Sequence, residues 1–272
     1  MRARLLLLFA GVMAVRGQED PKDLLVQVSR KVIETMNALP RYVCTQTVER
    51  AEYKLDNGMP GTRSCDEVTA KRNAGHLRRQ LSASDRLRFD VAIGVSHEVF
   101  GISDEMYSWV GDRHFHDPGL LDLVRQGAIS TGSFSSFLVS LFGGGRANFS
   151  YNGDHIVKGR LLSEFGFRVP LEKSNYVYRF GNKRTEVLTA YDGTFLVDPK
   201  TVDLVRLVVR QDLPPETGAC EATHTVDYGH VRINEATFLL ARAATLDILT
   251  RKIETENPSL IQDAKNSLAN RL

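Results

Sequence analysis

The chain has little of what usually announces a chemistry. Three Cys and one Trp stand among its 272 residues, and neither sign of charge dominates, with 35 Lys and Arg against 33 Asp and Glu. Near-neutrality excludes the electrostatic footprint that nucleic acid or an anionic membrane surface requires, so neither is an expected partner. No Cys-x-x-Cys occurs, which disfavours thioredoxin-like redox work. Gly143-Gly144-Gly145 lacks the Gly-Lys-Ser/Thr ending of a phosphate loop. Ser130-Thr131-Gly132-Ser133 is not a hydrolase elbow, because Phe134 is followed by Ser135 rather than Gly. His97-Glu98 lacks the second His of a zinc protease, and the acidic residues scatter without a pair that spacing can single out. His114-Phe115-His116, flanked by Asp112 and Asp117, places two imidazoles on one strand face, yet no third ligand accompanies them. No catalytic residue, metal or cofactor is assigned, and the chain is not read as an enzyme.

What is present begins at the N-terminus. Met1-Arg-Ala-Arg4 precedes an apolar run, Leu5–Val15, that is too short to span a bilayer and has signal-peptide length. Cleavage after Gly17 is expected, which implies a periplasmic or secreted protein with no permanent membrane span. No Cys follows the run, so the lipid-modified Cys of a bacterial lipoprotein is absent. Loss of residues 1–17 removes Arg2, Arg4 and Arg16 and no acidic residue, leaving 32 basic against 33 acidic side chains.

The remaining chain is long enough for one large core, and no Pro-, Gly- or Ser-rich linker divides it. Residues 18–40 read as an amphipathic helix: Leu25, Val28, Val32, Met36 and Leu39 recur every three or four residues, behind an acidic entry and Pro21. It packs on a sheet face or forms a lid. Strand signals follow at Tyr42–Lys54, Arg63–Thr69, His76–Ser82 and Arg86–Ile93, where Leu87, Phe89, Val91 and Ile93 alternate with polar residues. His97–Ile102 and Met106–Arg113, the latter with Trp109, read as a hairpin.

Residues 118–143 change to helical spacing. Leu120, Leu121 and Val124 come first, and then Phe134, Phe137, Leu138, Leu141 and Phe142 before the glycine stop. This second helix is either core or a mobile plug over an apolar cavity. Strands resume at Ala147–Tyr151, His155–Ser163, Phe167–Pro170 and Tyr176–Phe180, with turns at Asn152-Gly153 and Gly181-Asn182. Arg184–Leu213 reads as a three-stranded meander (Val187–Tyr191, Phe195–Val197, Val202–Val209), broken at Asp192-Gly193 and Asp198–Thr201. Ala222–Tyr228, His230–Ile233, Thr237–Leu240 and Ala244–Leu249 complete roughly a dozen strands, the signature of an all-β sandwich or barrel. Residues 251–272 read as a polar tail with a short helix at Ser259–Leu268.

Cys44 and Cys65 lie on what read as successive strands and are expected to pair, leaving Cys220 buried, reactive or linked between chains.

Several stretches together carry a resemblance. They are the leader, the N-terminal helix, Met106-Tyr107-Ser108-Trp109-Val110-Gly111, the central LLDLVRQGAISTGSFSSFLVSLFGG, and Tyr191-Asp192-Gly193-Thr194-Phe195-Leu196-Val197-Asp198-Pro199 with Val205-Arg206-Leu207. They resemble an uncharacterised group of exported bacterial proteins, distantly similar to the periplasmic lipoprotein-carrier (LolA/LppX-like) fold. The likeness covers most of residues 42–249 and includes no catalytic motif. It implies a mainly β fold: an antiparallel, incompletely closed β-barrel over residues 41–250, covered by the N-terminal helix and the central helical insertion. Its implied function is carrier-like, binding a lipid or lipoprotein acyl chain in the half-barrel. The expected mouth residues are Phe134, Phe137, Leu138, Leu141 and Phe142, with Phe89, Val91 and Trp109 beneath. The sequence departs from the group in its polar end after Leu249 and in lacking a fourth Cys. The rival reading is an envelope interaction or assembly module that uses its sheet edge or face, with the helices as fixed core and another envelope protein as partner.

Overall fold

The computed structural model describes residues 20–55, 64–93, 98–101, 124, 128–133, 135–180, 185–251 and 262–271. Among these, twelve strands form two antiparallel sheets. In chain order they are β1 (Tyr42–Leu55), β2 (Arg79–Ile93), β3 (Glu98–Gly101), β4 (Asn148–Val157), β5 (Arg160–Val169), β6 (Tyr176–Phe180), β7 (Thr185–Thr189), β8 (Tyr191–Asp198), β9 (Asp203–Gln211), β10 (Ala219–Ile233), β11 (Ala236–Thr250) and β12 (Gln262–Arg271). Ten of them make one sheet in the order β3-β2-β1-β12-β11-β10-β9-β8-β5-β4, and β6 and β7 pair separately. The sheet does not close on itself, so the architecture is the incompletely closed half-barrel, with α1 (Pro21–Ala38) and α3 (Ser136–Phe142) over its inner face.

Period-two alternation builds that inner face. Register carries one apolar row across five strands, from Phe165 to Phe195, Leu207, Val226 and Ala244, and all five side chains are buried. α1 starts where Asp20 accepts the Lys22 N–H at 2.9 Å with Pro21 in the first turn, and it buries Leu24, Val28, Val32 and Met36, one every four residues. Lys31 fastens it to the β8–β9 turn, reaching Asp203 Oδ1 at 2.8 Å and the Thr201 carbonyl at 2.6 Å.

Several local expectations are corrected. Asp192-Gly193 is not a turn but lies inside β8. A Cβ at Gly193 would fall 1.8 Å from the Val208 carbonyl oxygen and 2.9 Å from Phe167, so glycine is there to let β9 approach. The turn is Asp198–Val202 alone, where Asp198 Oδ1 accepts the Lys200 N–H at 2.9 Å. Val187 belongs to the separate β6–β7 hairpin, not to a meander with β8. Asn152-Gly153 is a bulge within β4, the register slipping between Tyr151 and Gly153, and the hairpin turns at Lys158-Gly159 instead. The four short strands expected after Pro215 merge into two of 15 residues, β10 and β11.

The expected strand at Arg63–Thr69 is a helix, α2 (Cys65–Asn73), capped by Ser64. The Cys44–Cys65 pairing falls with it, because the bridge joins Cys65 to Cys220 and Cys44 stays free and buried. Cys44 is the third residue of β1 and Cys65 follows its far end, so roughly 35 Å of strand separates them. α2 instead crosses to the start of β10, where Thr69 Oγ1 donates to Glu221 at 3.0 Å and Arg72 pairs with the same carboxylate. The helix expected at Ser259–Leu268 is also corrected: residues 262–271 are strand β12, hydrogen-bonded between β1 and β11. Two unsatisfied strand edges outweigh the weak helical pattern there. The leader, the Met106–Arg113 strand, Leu120 and Leu121, and the His114/His116 pair lie outside the described residues.

Candidate functional site

The central helical segment meets the sheet through aromatic rings. Phe137 stands 5.3 Å from Tyr176 and 5.6 Å from Tyr191, while Phe142 lies 5.9 Å from Phe149 and 5.3 Å from Phe195, measured between ring centroids. Leu138 and Leu141 are buried beside them, and Val124 is buried in the same core. α3 abuts α1 closely: a Cβ on Gly143 would come 3.2 Å from Ile33 Cδ1 of α1, besides lying 2.7 Å from the Val139 carbonyl oxygen of its own helix. The first glycine of the stop is therefore also a contact point.

Of the residues expected to line a ligand site, Phe137, Leu138, Leu141, Phe89 and Val91 are buried together in one apolar cluster, and Phe142 packs against it half-buried. Phe134 and Trp109 lie outside the described residues. A crevice lined by Lys31, Val32, Thr35, Met36, Leu138, Val202, Leu204 and Leu239 has a volume of about 10 Å³, space for about one water molecule.

The inner face also carries polar groups that the apolar pattern did not reveal. On β1, Tyr42, Cys44, Gln46 and Val48 alternate inward; on β10, Ala222, His224 and Val226 do the same, followed after a register slip by Tyr228. Extending the two-residue period through these strands would have found them. Tyr42 pairs with Ile93 and Ile93 with Glu98, so Tyr42 and Glu98 share a row and a face. Glu98 Oε2 accepts the Gly132 N–H at 2.8 Å. One residue on, the Ser133 hydroxyl lies 3.3 Å from His224 Nε2, with the Ser130 hydroxyl at 3.5 Å. The segment 128–133 thus crosses the concave face from β3 to β10 on polar contacts. The Tyr42 and Tyr228 hydroxyls, Gln46 Oε1 and His224 Nδ1 are buried without a hydrogen-bond partner among the described residues.

Electrostatics follow burial. Desolvation pushes the Tyr42 and Tyr228 phenols well above their ordinary range, and the Glu98 charge adds to both. The Cys44 thiol is pushed up to about 12 by burial, then by Glu98 and Asp90, which makes it inert as a nucleophile. Burial lowers His224 from 6.5 to about 4. The unfolded chain therefore takes up this proton first as pH falls. Stability attributable to neutral His224 is whole above about 6.5 and is lost as pH falls through 4, by on the order of 3 kcal/mol. Urea titrations between pH 7 and 4 should show a steeper loss in the wild type than in His224→Gln; equal slopes would refute the assignment.

Among the described residues no cluster of His, Cys, Asp and Glu could hold a metal, and no helix is long and apolar enough to cross a membrane. No protein-family model, curated protein or solved structure matches this chain.

Proposed function

We propose that the protein is an exported binding protein that takes an acyl chain into the half-barrel by displacing α3, in the manner of a carrier. One observation carries this: the apolar row across the inner face is covered not by sheet but by two helices, and one of them, α3, is only seven residues long and ends at Gly143–Gly145. The Cys65–Cys220 bridge is compatible with export, since such bonds persist in oxidising compartments. The likeness to the lipoprotein-carrier fold is part of the same proposal.

Magnitudes define what would open it. Lifting α3 exposes Phe137, Leu138, Leu141 and Phe142, at roughly 2–3 kcal/mol per side chain, about 10 kcal/mol together. An acyl chain offsets about 0.8 kcal/mol per buried methylene, so about a dozen methylenes are needed. Titration with fluorescent lipopeptides should therefore give saturable binding for palmitoyl and little for octanoyl. Native mass spectrometry of the purified protein should show co-purified lipid. Absence of saturable binding at every chain length rejects the carrier reading.

One observation favours the rival assembly module. The hairpin at the free edge exposes two paired apolar side chains, Ile156 at 78% and Leu161 at 51%. Failure of lipid binding, together with loss of partner capture on Ile156→Lys, would put that reading first.

A further inference from the structure

We propose that the β4–β5 hairpin is a membrane-docking surface, which lays Ile156 and Leu161 on an anionic lipid bilayer with Lys158 among its headgroups. The proposal goes beyond the carrier reading, because this surface is exposed whether or not α3 is displaced.

The hairpin continues the concave face past its cover. Phe142 packs on Phe149, and beyond it Tyr151 leans on Phe165 with ring centroids 5.5 Å apart. Register then places Asp154 opposite Ser163 and Ile156 opposite Leu161, on that same face. Asp154 accepts the Tyr151 and Ser163 hydroxyls, each at 2.7 Å. Ile156 and Leu161 stay exposed as cross-strand neighbours. An apolar pair held side by side on a sheet cannot bury itself, so its burial needs a second surface.

Charge decides which surface fits. The chain is close to neutral as a whole, which hides a local excess. No acidic residue lies between His155 and Ser163, where Lys158 and Arg160 do. Arg160 pairs with Asp198 at 2.6 Å, whereas Lys158 forms no ion pair among the described residues. Lys200, exposed on the adjoining β8–β9 turn, is a second such cation. Asp154 is four residues, about 13 Å, back from Lys158, and Glu164 is on the opposite face. Two aliphatic side chains beside free cations match a bilayer with anionic headgroups. A partner strand added at β4 is the poorer fit, since the bulge at Asn152-Gly153 interrupts that edge.

The test is co-sedimentation of the protein, recovered after export, with two kinds of vesicle: pure phosphatidylcholine, and equal parts phosphatidylcholine and phosphatidylglycerol. The anionic vesicles should bind at least ~10-fold more tightly at low salt, a preference that high salt removes. Lys158→Asn suits the positive φ of 50° found there. It should weaken binding to the anionic vesicles ~5-fold and leave the neutral ones unchanged. Ile156→Ser combined with Leu161→Ser should weaken both ~10-fold, while binding of palmitoyl lipopeptide in solution stays as in the wild type. That solution measurement separates the two readings: its failure in the wild type rejects the carrier and leaves the docking surface standing. Equal binding to the two kinds of vesicle, an unaffected Lys158→Asn protein or an unaffected double serine variant overturns the proposal. So does absence of vesicle binding, which would return the exposed pair to a protein partner.

Discussion

Replacing Cys220 by Ser is expected to lower the stability of the oxidised protein by about 5 kcal/mol. The bridge closes a loop of 155 residues, and the chain-entropy cost of that closure in the unfolded state is the source of the figure. Local contacts add to it, since α2 is held to β10 by the bridge, the Thr69–Glu221 hydrogen bond and the Arg72–Glu221 pair. Cys65→Ser should cost the same as Cys220→Ser, and the double replacement no more than either, because one interaction is removed in all three. Cys44→Ala removes only a buried sulfur and should cost on the order of 1 kcal/mol. Urea unfolding with and without reductant checks the set. A Cys44 variant as damaging as the Cys65 variant would contradict the pairing.

Replacing Phe137 by Asp is expected to have an effect of at least that size. Phe137 is 8% exposed and sits between Tyr176 and Tyr191, so the change removes a ring worth roughly 3–5 kcal/mol and strands a carboxylate in apolar surroundings. The charge escapes by lifting α3, because the helix is seven residues long and belongs to no sheet. The expected result is a protein that keeps its strand signal, binds a hydrophobic dye, becomes sensitive to proteolysis within 128–147 and has altered lipid affinity. Loss of strand signal at room temperature would mean that the helix is fixed core, and the assembly reading would then lead.

Much of the sheet was legible because its strands are half-buried and alternate cleanly. Leu87, Phe89, Val91 and Ile93 are the plain case, and β2 ends at Ile93. What misled were local signals overridden by distant contacts. Asp192-Gly193 has the chemistry of a turn, but the glycine is needed where Val208 passes. Asn152-Gly153 has it too, and became a bulge. The break expected between Ala222–Tyr228 and His230–Ile233 falls at Gly229, which pairs with Leu240 and keeps β10 in the ladder to β11. The candidate site was half legible. The helical spacing of Phe137, Leu138 and Leu141 marked the cover, whereas Gln46, His224 and Tyr228 were passed over because polar residues on an inner face run against the pattern that finds one.

The position of Cys44 has a consequence for how the bridge is made. Synthesis delivers Cys44 first, Cys65 21 residues later, and Cys220 last. In an unfolded chain the short loop closes more readily than the 155-residue one, by roughly twenty-fold if the probability falls as the three-halves power of length. Oxidation before folding therefore favours the wrong pair, and only placing Cys44 in the inner face of β1 withdraws it from competition. Folding must outrun oxidation, or an exchange reaction must repair the error. The third cysteine is a timing constraint, and reduced Cys44→Ala protein should regain its native bridge faster than the reduced wild type when both are diluted into a glutathione buffer.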